Sequence, residues 1–344
     1  MNEFKDKTIL ITGGTGSFGR TLCDYLLAGD VGEIRIFSRD ELKQELMRVE
    51  LCNPKVKFYI GDVRDRSSID AVMRGVHYAF HAAALKQVPS CEFFPMQAVM
   101  TNVMGSCNII ESAVAHGVER LVCLSTDKAV YPINTMGITK ALMEKLVQSA
   151  CRGSVPHDSI ICSVRYGNVM SSRGSVIPLF IKQIRQGTAL TVTEPSMTRF
   201  LLPLRDAVSL VLYAFQHSSP GDLFIKKAPA CTVGDLAKAL KNLFGSDVPL
   251  ITIGMRHGEK VYETLASREE LVRAKDLGDY YRVPMDDRDL NYAKYFTEGD
   301  VGEASFEDYH SHNAYRLSVQ EIESLLLSLP EVKAELSAYK GKPG

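Results

Sequence analysis

Apolar positions in this chain fall into short runs bounded by glycine and polar residues, separated by longer stretches with a three-to-four-residue rhythm. Lys7-Thr-Ile-Leu-Ile-Thr12, Glu33-Ile-Arg-Ile-Phe-Ser38, Val56-Lys-Phe-Tyr-Ile60, Val76-His-Tyr-Ala-Phe-His81, residues 119–125 and Ser159-Ile-Ile-Cys-Ser-Val-Arg165 read as buried strands. Amphipathic helices lie between them: one after Gly19 through Leu27, a long one from about Pro95 to His116, and one opening at Met136-Gly-Ile-Thr-Lys140. Strands alternating with helices predict an α/β fold, a Rossmann-like doubly wound parallel sheet. After Ser171 the alternation becomes irregular, which predicts a smaller mixed α/β lobe. The boundaries expected are 1–170 for the first domain and 171–279 for the second, with some of its segments returning to the first. Residues 280–344 form a charged extension with a Ser318/Glu321 capping box, an apolar stripe through Leu329 and a last helix from Pro330. It is expected to dock on the body or on a neighbouring subunit.

Composition narrows the class. The 344 residues are 45% hydrophobic and 24% charged, with net charge −1, which argues against a general nucleic-acid binder. No apolar run approaches the roughly 18 residues of a membrane span, and polar Met1–Lys7 does not read as a signal peptide. The eight cysteines are scattered without metal spacing, several inside apolar strands, as expected of reduced core residues in a cytoplasmic protein that binds no metal.

The first candidate chemistry follows the first strand. Gly13, Gly16 and Gly19 stand at G-x-x-G-x-x-G spacing between a strand and a helix. There a tight turn lets the backbone approach a pyrophosphate on the helix N-terminus. This predicts a dinucleotide site holding Gly13, Thr15, Gly16, Ser17, Phe18 and Gly19. The second strand ends in Ser38-Arg39-Asp40, with Lys43 one turn on. A hydroxyl and two cations suit a ribose 2′-phosphate, hence NADP over NAD; Asp40 argues the other way, and Arg39 and Lys43 also read as solvated helix-start charges. The third strand ends beside Asp62 and Val63, and the fourth in Ala82-Ala-Ala-Leu-Lys86, small residues that let a cofactor lie close. Lys86 is placed on cofactor or substrate phosphate, and Asn102 on the cofactor side of the long helix. His81, inside an apolar run, reads as a satisfied core histidine.

The central strand ends in Ser125-Thr126-Asp127-Lys128. A hydroxyl, an acid and an amine at the carboxyl end of a parallel strand point to proton transfer beside a bound ligand, whereas a surface turn would use the same residues for solubility. Arg173, Arg199 and Arg256 each sit in a loop-like segment; converging on one cleft they would suit a diphosphate.

These motifs resemble the extended short-chain dehydrogenase/reductase superfamily. Gly13-Gly-Thr-Gly-Ser-Phe-Gly19, Phe80-His-Ala-Ala-Ala-Leu-Lys-Gln-Val-Pro89, Ser125-Thr-Asp-Lys128, Arg165-Tyr-Gly-Asn-Val169, Met197-Thr-Arg-Phe200 and Arg256-His-Gly-Glu-Lys260 are similar to the inverting UDP-N-acetylglucosamine 4,6-dehydratases. The likeness is to the capsule and O-antigen branch on the route to UDP-N-acetyl-L-fucosamine, and covers nearly the whole chain. It implies oxidation at C4 by NADP⁺, loss of the C5 proton and the C6 hydroxyl, and return of hydride to C6 with inversion at C5. It implies Asp127 as acid, Lys128 as a neutral base of lowered pKa, Thr126 or Ser125 on the C4 oxygen, and Lys140 on the nicotinamide ribose. Tyr166, Asn168 and Val169 join the cofactor set. Lys86, Asn168, Arg173, Val176, Pro178, Arg199, Arg256 and Glu259 are placed on the UDP-sugar. A homo-oligomer, a hexamer by resemblance, completes the expectation.

One departure stands out. The superfamily has Tyr-x-x-x-Lys, and here the first position is Met136, which cannot accept a proton. The capsule branch shares that methionine, and Lys128 or a water is the candidate base at C4. A nucleotide-sugar 4-epimerase is the alternative within the fold, and a non-catalytic NADP-binding sensor the alternative outside enzymes.

Overall fold

The computed structural model describes residues 4–152, 159–171, 174–255, 258–286 and 307–340. The apolar runs form strands β1 (Thr8–Thr12), β2 (Glu33–Ser38), β3 (Val56–Ile60), β4 (Tyr78–His81), β5 (Arg120–Leu124) and β6 (Ile160–Arg165). They pair in parallel in the order β3-β2-β1-β4-β5-β6. Strand order reverses between β1 and β4, and the crevice beyond their carboxyl ends is where an open α/β sheet binds its ligand. The connecting helices are α1 (Ser17–Leu27), α2 (Glu41–Leu51), α3 (Arg66–Met73), α4 (Val88–Phe93), α5 (Pro95–Ala98), α6 (Gly105–Ala115) and α7 (Thr135–Arg152). β1 and β4 are buried at almost every position, as strands with helices on both faces must be.

The long helix expected over Pro95–His116 is not continuous. Between α5 and α6 lies a π-helical stretch, Val99–Met104. Such widened turns recur at functional sites, and this one carries Asn102.

Past β6 the chain supplies α8 (Val176–Arg185), β7 (Leu190–Val192), β8 (Thr198–Phe200), α9 (Leu204–His217), β9 (Leu223–Lys226), β10 (Ala230–Thr232), α10 (Val233–Phe244) and β11 (Leu250–Thr252). Then come β12 (Thr264–Ala266), α11 (Arg268–Arg273), β13 (Lys275–Asp276), β14 (Tyr280–Val283), α12 (Val319–Leu327) and α13 (Pro330–Lys340). β9 joins β6 in parallel, and β14 and β13 extend that edge antiparallel, giving a nine-stranded sheet. A second core forms around Ile177, Phe180, Leu190, Leu236 and Leu240, and Ile322, Leu326 and Val332 of the last two helices close it. The Ser318/Glu321 capping box is formed, and Thr232 caps α10 through the Asp235 N–H.

Candidate active site

A cleft of about 770 Å³ opens at the carboxyl end of the sheet. Gly13 (φ +67°) makes its floor. A Cβ there would meet the Ala83 nitrogen at 2.9 Å, so the turn after β1 and the small-residue end of β4 press together as only glycine allows. Gly19 is equally constrained, since its Cβ would lie 2.5 Å from Gly14. Helix α1 begins at Gly16 with no side-chain cap and no acid in its first turn. Its free N–H groups and positive end therefore face the cleft, the arrangement a diphosphate requires. Thr15, Gly16, Ser17, Phe18, Gly19, Asp62, Val63, Ala82, Ala83, Ala84, Lys86, Tyr166 and Val169 all line it. Thr101, Leu124 and Leu204 line it as well, and no sequence signal marked them.

His81 is fully buried, with Nδ1 2.7 Å from the Thr12 hydroxyl and Nε2 3.0 Å from that of Ser106. Burial depresses its pKa to about 3, so it is a neutral core residue fastening β4 to β1 and α6.

At the end of β2, Ser38, Arg39 and Lys43 line the cleft. Lys43 is less available than expected: its amine pairs with Asp40, whose carboxylate also caps α2 through the Lys43 N–H at 3.0 Å. Arg39 makes only a loose pair with Asp62, at 3.6 Å. Gln44 donates to the Ser38 carbonyl and hydroxyl and to the Tyr59 carbonyl, holding this strand end in place.

Asn102 is expected on the cofactor but is wholly buried behind the wall. Its side chain accepts from Leu85 N–H (2.8 Å) and donates to the Leu85 carbonyl (2.9 Å) and the Thr139 hydroxyl (3.0 Å). It braces the loop after β4 against α7.

Ser125, Thr126 and Lys128 form the wall after β5, with Met136 and Lys140 of α7 beside them. Neither hydroxyl has its hydrogen free. Ser125 donates to Glu144, and Thr126 donates to Asp127 at 2.7 Å. Towards a ligand they present lone pairs, which suits accepting an O–H rather than donating to a carbonyl. Asp127 is 1% exposed and lies under this wall, with Oδ2 buried and unpartnered.

Lys128 differs most from expectation. Its Nζ is 3.1 Å from Asp127 Oδ1 and 3.4 Å from Glu263 Oε1. Burial alone would lower its pKa, but the two carboxylates outweigh that and raise it. The lysine expected to be neutral is instead held as an ammonium. Burial likewise pushes the Glu263 carboxyl up. Burial depresses other amines instead: Lys140, brought to about 8, and to a lesser degree Lys86 and Lys260. Lys140 Nζ donates to the Leu124 carbonyl at 2.8 Å.

Glu263 was invisible to motif reading. Its only sequence mark is an acid opening the apolar run Glu263-Thr-Leu-Ala266. It is 4% exposed and is delivered by the segment leading into β12. That segment is pinned by Arg199, which was expected on a diphosphate. Arg199 instead donates to the carbonyls of Thr198 (2.8 Å) and Lys260 (2.9 Å) and pairs with Glu259 at 3.2 Å. Lys260 donates to the Val130 carbonyl at 2.6 Å, tying the segment to the loop after β5. Arg199 and Glu259 therefore fasten this segment and do not line the cleft; Glu259 keeps one buried oxygen, Oε2, without a donor.

Of the other substrate candidates, Asn168 keeps a buried Oδ1 without a donor and does not line the cleft. Val176 packs against the second core. Pro178 lines a separate groove with Ile181, Lys182 and Arg185. Arg173 and Arg256 lie outside the described residues. Among the described residues no His, Cys, Asp and Glu group could hold a metal, and no helix is long and apolar enough to cross a membrane. All eight cysteines are free.

Residues 9–285 match the family described as polysaccharide biosynthesis protein, and residues 286–333 match its C-terminal module. The chain belongs to this polysaccharide biosynthesis family. A Rickettsia canadensis protein named UDP-glucose 4-epimerase is 58% identical over 97% of the chain and 99% of its own length. The structure of Pen from Bacillus thuringiensis is similar with a TM-score of 0.86 and 35% identity, covering 95% of this chain and 99% of that one. The dTDP-glucose 4,6-dehydratase DesIV of Streptomyces venezuelae, solved with NAD, has a TM-score of 0.67 at 21% identity. It covers 74% of this chain and 86% of its own, and shares the Rossmann-type fold.

Proposed function

We propose that this family member is a nucleotide-sugar enzyme, a 4,6-dehydratase acting on UDP-N-acetylglucosamine with inversion at C5, as a first step towards UDP-N-acetyl-L-fucosamine for capsule or O-antigen. The supporting observation is the Asp127–Lys128–Glu263 cluster at the cleft wall. Interchange at C4 alone needs one proton carrier. Elimination across C5–C6 needs a proton removed from carbon and another given to the departing hydroxyl, so it needs acceptor and donor together. Carboxylates flanking an ammonium supply both.

The uncapped α1 N-terminus and the glycine turn fit a nicotinamide dinucleotide, which as bound cofactor supplies the hydride acceptor and donor. Thr15, Gly16, Ser17 and Phe18 would take its diphosphate and Ala82, Ala83 and Ala84 its flank. Ser38 and Arg39 would meet a 2′-phosphate, which is why NADP is proposed over NAD. Lys140 would hold the ribose. Ser125 and Thr126 would accept the C4 hydroxyl. Asn168, Lys86, Arg173, Arg256 and Glu259 would orient the UDP-sugar, and binding energy there would be used to align the reacting carbons. Working as a cytoplasmic homo-oligomer is part of this reading.

The name UDP-glucose 4-epimerase carried by the 58% identical relative favours a second reading. One experiment separates them: incubation with UDP-N-acetylglucosamine and catalytic NADP⁺ in D₂O, followed by mass and proton spectra. Loss of one water with one deuterium entering at C5 supports the dehydratase. A galacto-configured product of unchanged heavy-atom mass supports the epimerase and overturns the dehydratase.

A further inference from the structure

Lys128 reaches the cleft between two carboxylates that come from different parts of the chain. Asp127 is its neighbour on the loop after β5. Glu263 arrives from the segment before β12, more than a hundred residues later in sequence. That segment is clamped by Arg199 on the Lys260 carbonyl and by Lys260 on the Val130 carbonyl. Glu263 is nearly inaccessible to solvent, and its backbone N–H is taken by the Ser311 hydroxyl at 3.0 Å. Its Oε1 faces the Lys128 amine and its Oε2 has no donor. A buried carboxylate with one oxygen on an amine and the other unpartnered is costly to keep unless the charge it faces matters.

We propose that Glu263 is a positioning residue for Lys128: it holds the amine at the cleft wall and, with Asp127, keeps it charged, so that Lys128 meets the sugar as a proton donor. The roles expected of the pair are thereby exchanged. In the elimination, the C5 proton passes through a water in the cleft to Asp127, whose Oδ2 has no partner, as the C5–C6 double bond forms. The C6–O bond breaks with a proton from the Lys128 ammonium, releasing water and leaving a neutral amine and a protonated carboxyl. Proton passage from carboxyl to amine within the cluster restores the starting charges. The charged groups around Lys128 are Asp127 and Glu263, which raise its pKa, and Arg199, which lowers it; Lys260 faces Glu263, and Tyr166 faces Asp127.

This assignment of a donor role rests on the dehydratase reading; the control of Lys128's charge by Glu263 does not, and the test separates the two. Only a neutral amine reacts with acetic anhydride, and Lys128 is 22% exposed, so its labelling can be followed by peptide mass spectrometry as pH rises. In the wild-type chain Lys128 should label later than the exposed lysines. Glu263→Gln keeps the shape and removes the charge. It should bring half-labelling down by about one pH unit or more, or about tenfold faster labelling at a fixed pH. Glu263→Asp, which restores the charge, should recover part of the delay. Far-ultraviolet circular dichroism of both variants checks that they fold. In the D₂O assay, Glu263→Gln should move the alkaline limb of dehydration to lower pH. An unchanged labelling curve in folded Glu263→Gln overturns the proposal. Shifted labelling without any dehydration by the wild-type chain leaves Glu263's control of Lys128 standing and removes the dehydratase reading. A limb that moves upward, or acid-side gain of activity, makes Lys128 a base and overturns the donor role.

Discussion

Arg165 Nε and Nη2 donate to the two oxygens of Glu144 at 3.0 and 2.6 Å, and both residues are buried. The same guanidinium reaches Glu270 at 2.8 and 2.9 Å and the Leu265 carbonyl at 2.9 Å. Glu144 in turn accepts the Ser125 hydroxyl. One arginine on β6 thus ties α7, α11 and β12 to the strand end that bears Ser125. Removing one member of such a set leaves a buried charge without its partner. Arg165→Met should therefore cost about 3–5 kcal/mol, seen as a lower urea midpoint. Replacing Glu144 and Glu270 by apolar residues in the same chain should recover part of the loss, because no buried charge then remains.

Lys140 carries the opposite cost. Its pKa falls from 10.5 to about 8 on folding because the amine is buried. Below pH 8 both folded and unfolded chains hold the proton, and folding bears the full penalty of burying the charge. Between about 8 and 10.5 the unfolded chain binds more protons, so stability rises with pH and the penalty fades. Lys140→Met should stabilise the fold at pH 7 by about 1–3 kcal/mol, less the hydrogen bond to Leu124, with the gain shrinking towards pH 10.5. Turnover should be lost. Thermal melts at pH 7 and pH 10 beside the D₂O assay check both halves.

The fold was legible because its code is local. Each strand of the parallel sheet is an apolar run, and the Gly13–Gly19 turn announces its own geometry. Most residues expected on a cofactor meet at one cleft for the same reason, being carried on contiguous segments. The substrate side does not. Arg199 reads from sequence as an arginine in a loop-like segment but stands in β8, and nothing local tells a diphosphate ligand from a strut for residues 259–261. Glu263 meets Lys128 only through tertiary folding. Expecting a neutral Lys128 from burial and nearby cations misses both carboxylates, Asp127 beside it and Glu263 across the fold, which together keep it charged. Asn102 likewise reads as a polar helix residue until the π-helical turn and the Leu85 backbone are seen together.

His81 sets an acid limit on the sheet. Its pKa drops from 6.5 to about 3 because the ring is fully buried. Above pH 6.5 it is neutral in both states and contributes nothing to the pH dependence. As pH falls from about 6.5 to 3 the unfolded chain takes up a proton that the folded one refuses, so stability declines. His81→Gln, which can keep bonds to Thr12 and Ser106, should flatten that decline, though its different shape should lower stability at neutral pH. Urea unfolding at pH 7.5 and pH 5 measures the slope; equal slopes in both chains would remove His81 as its source.

Met136 stands where the sequence resemblance leads one to expect a phenol, and its surroundings say what kind of residue the position needs. It is 4% exposed and packs with Cys91 and Ala98, with Leu85 and Val88 against the same cluster, while one edge faces the cleft. These neighbours are apolar, so its contribution is shape: it fixes α7 against the loop after β4 and so aims Lys140. Leucine conserves volume and should cost under about 1.5 kcal/mol, with turnover kept within a few-fold. Met136→Ala opens a cavity beside the loop and should cost about 2–5 kcal/mol, with weaker cofactor binding. Thermal melts and dinucleotide titration of the two variants separate these outcomes. Loss of turnover in a stable, cofactor-binding Met136→Leu would mean that the thioether itself touches the reacting sugar.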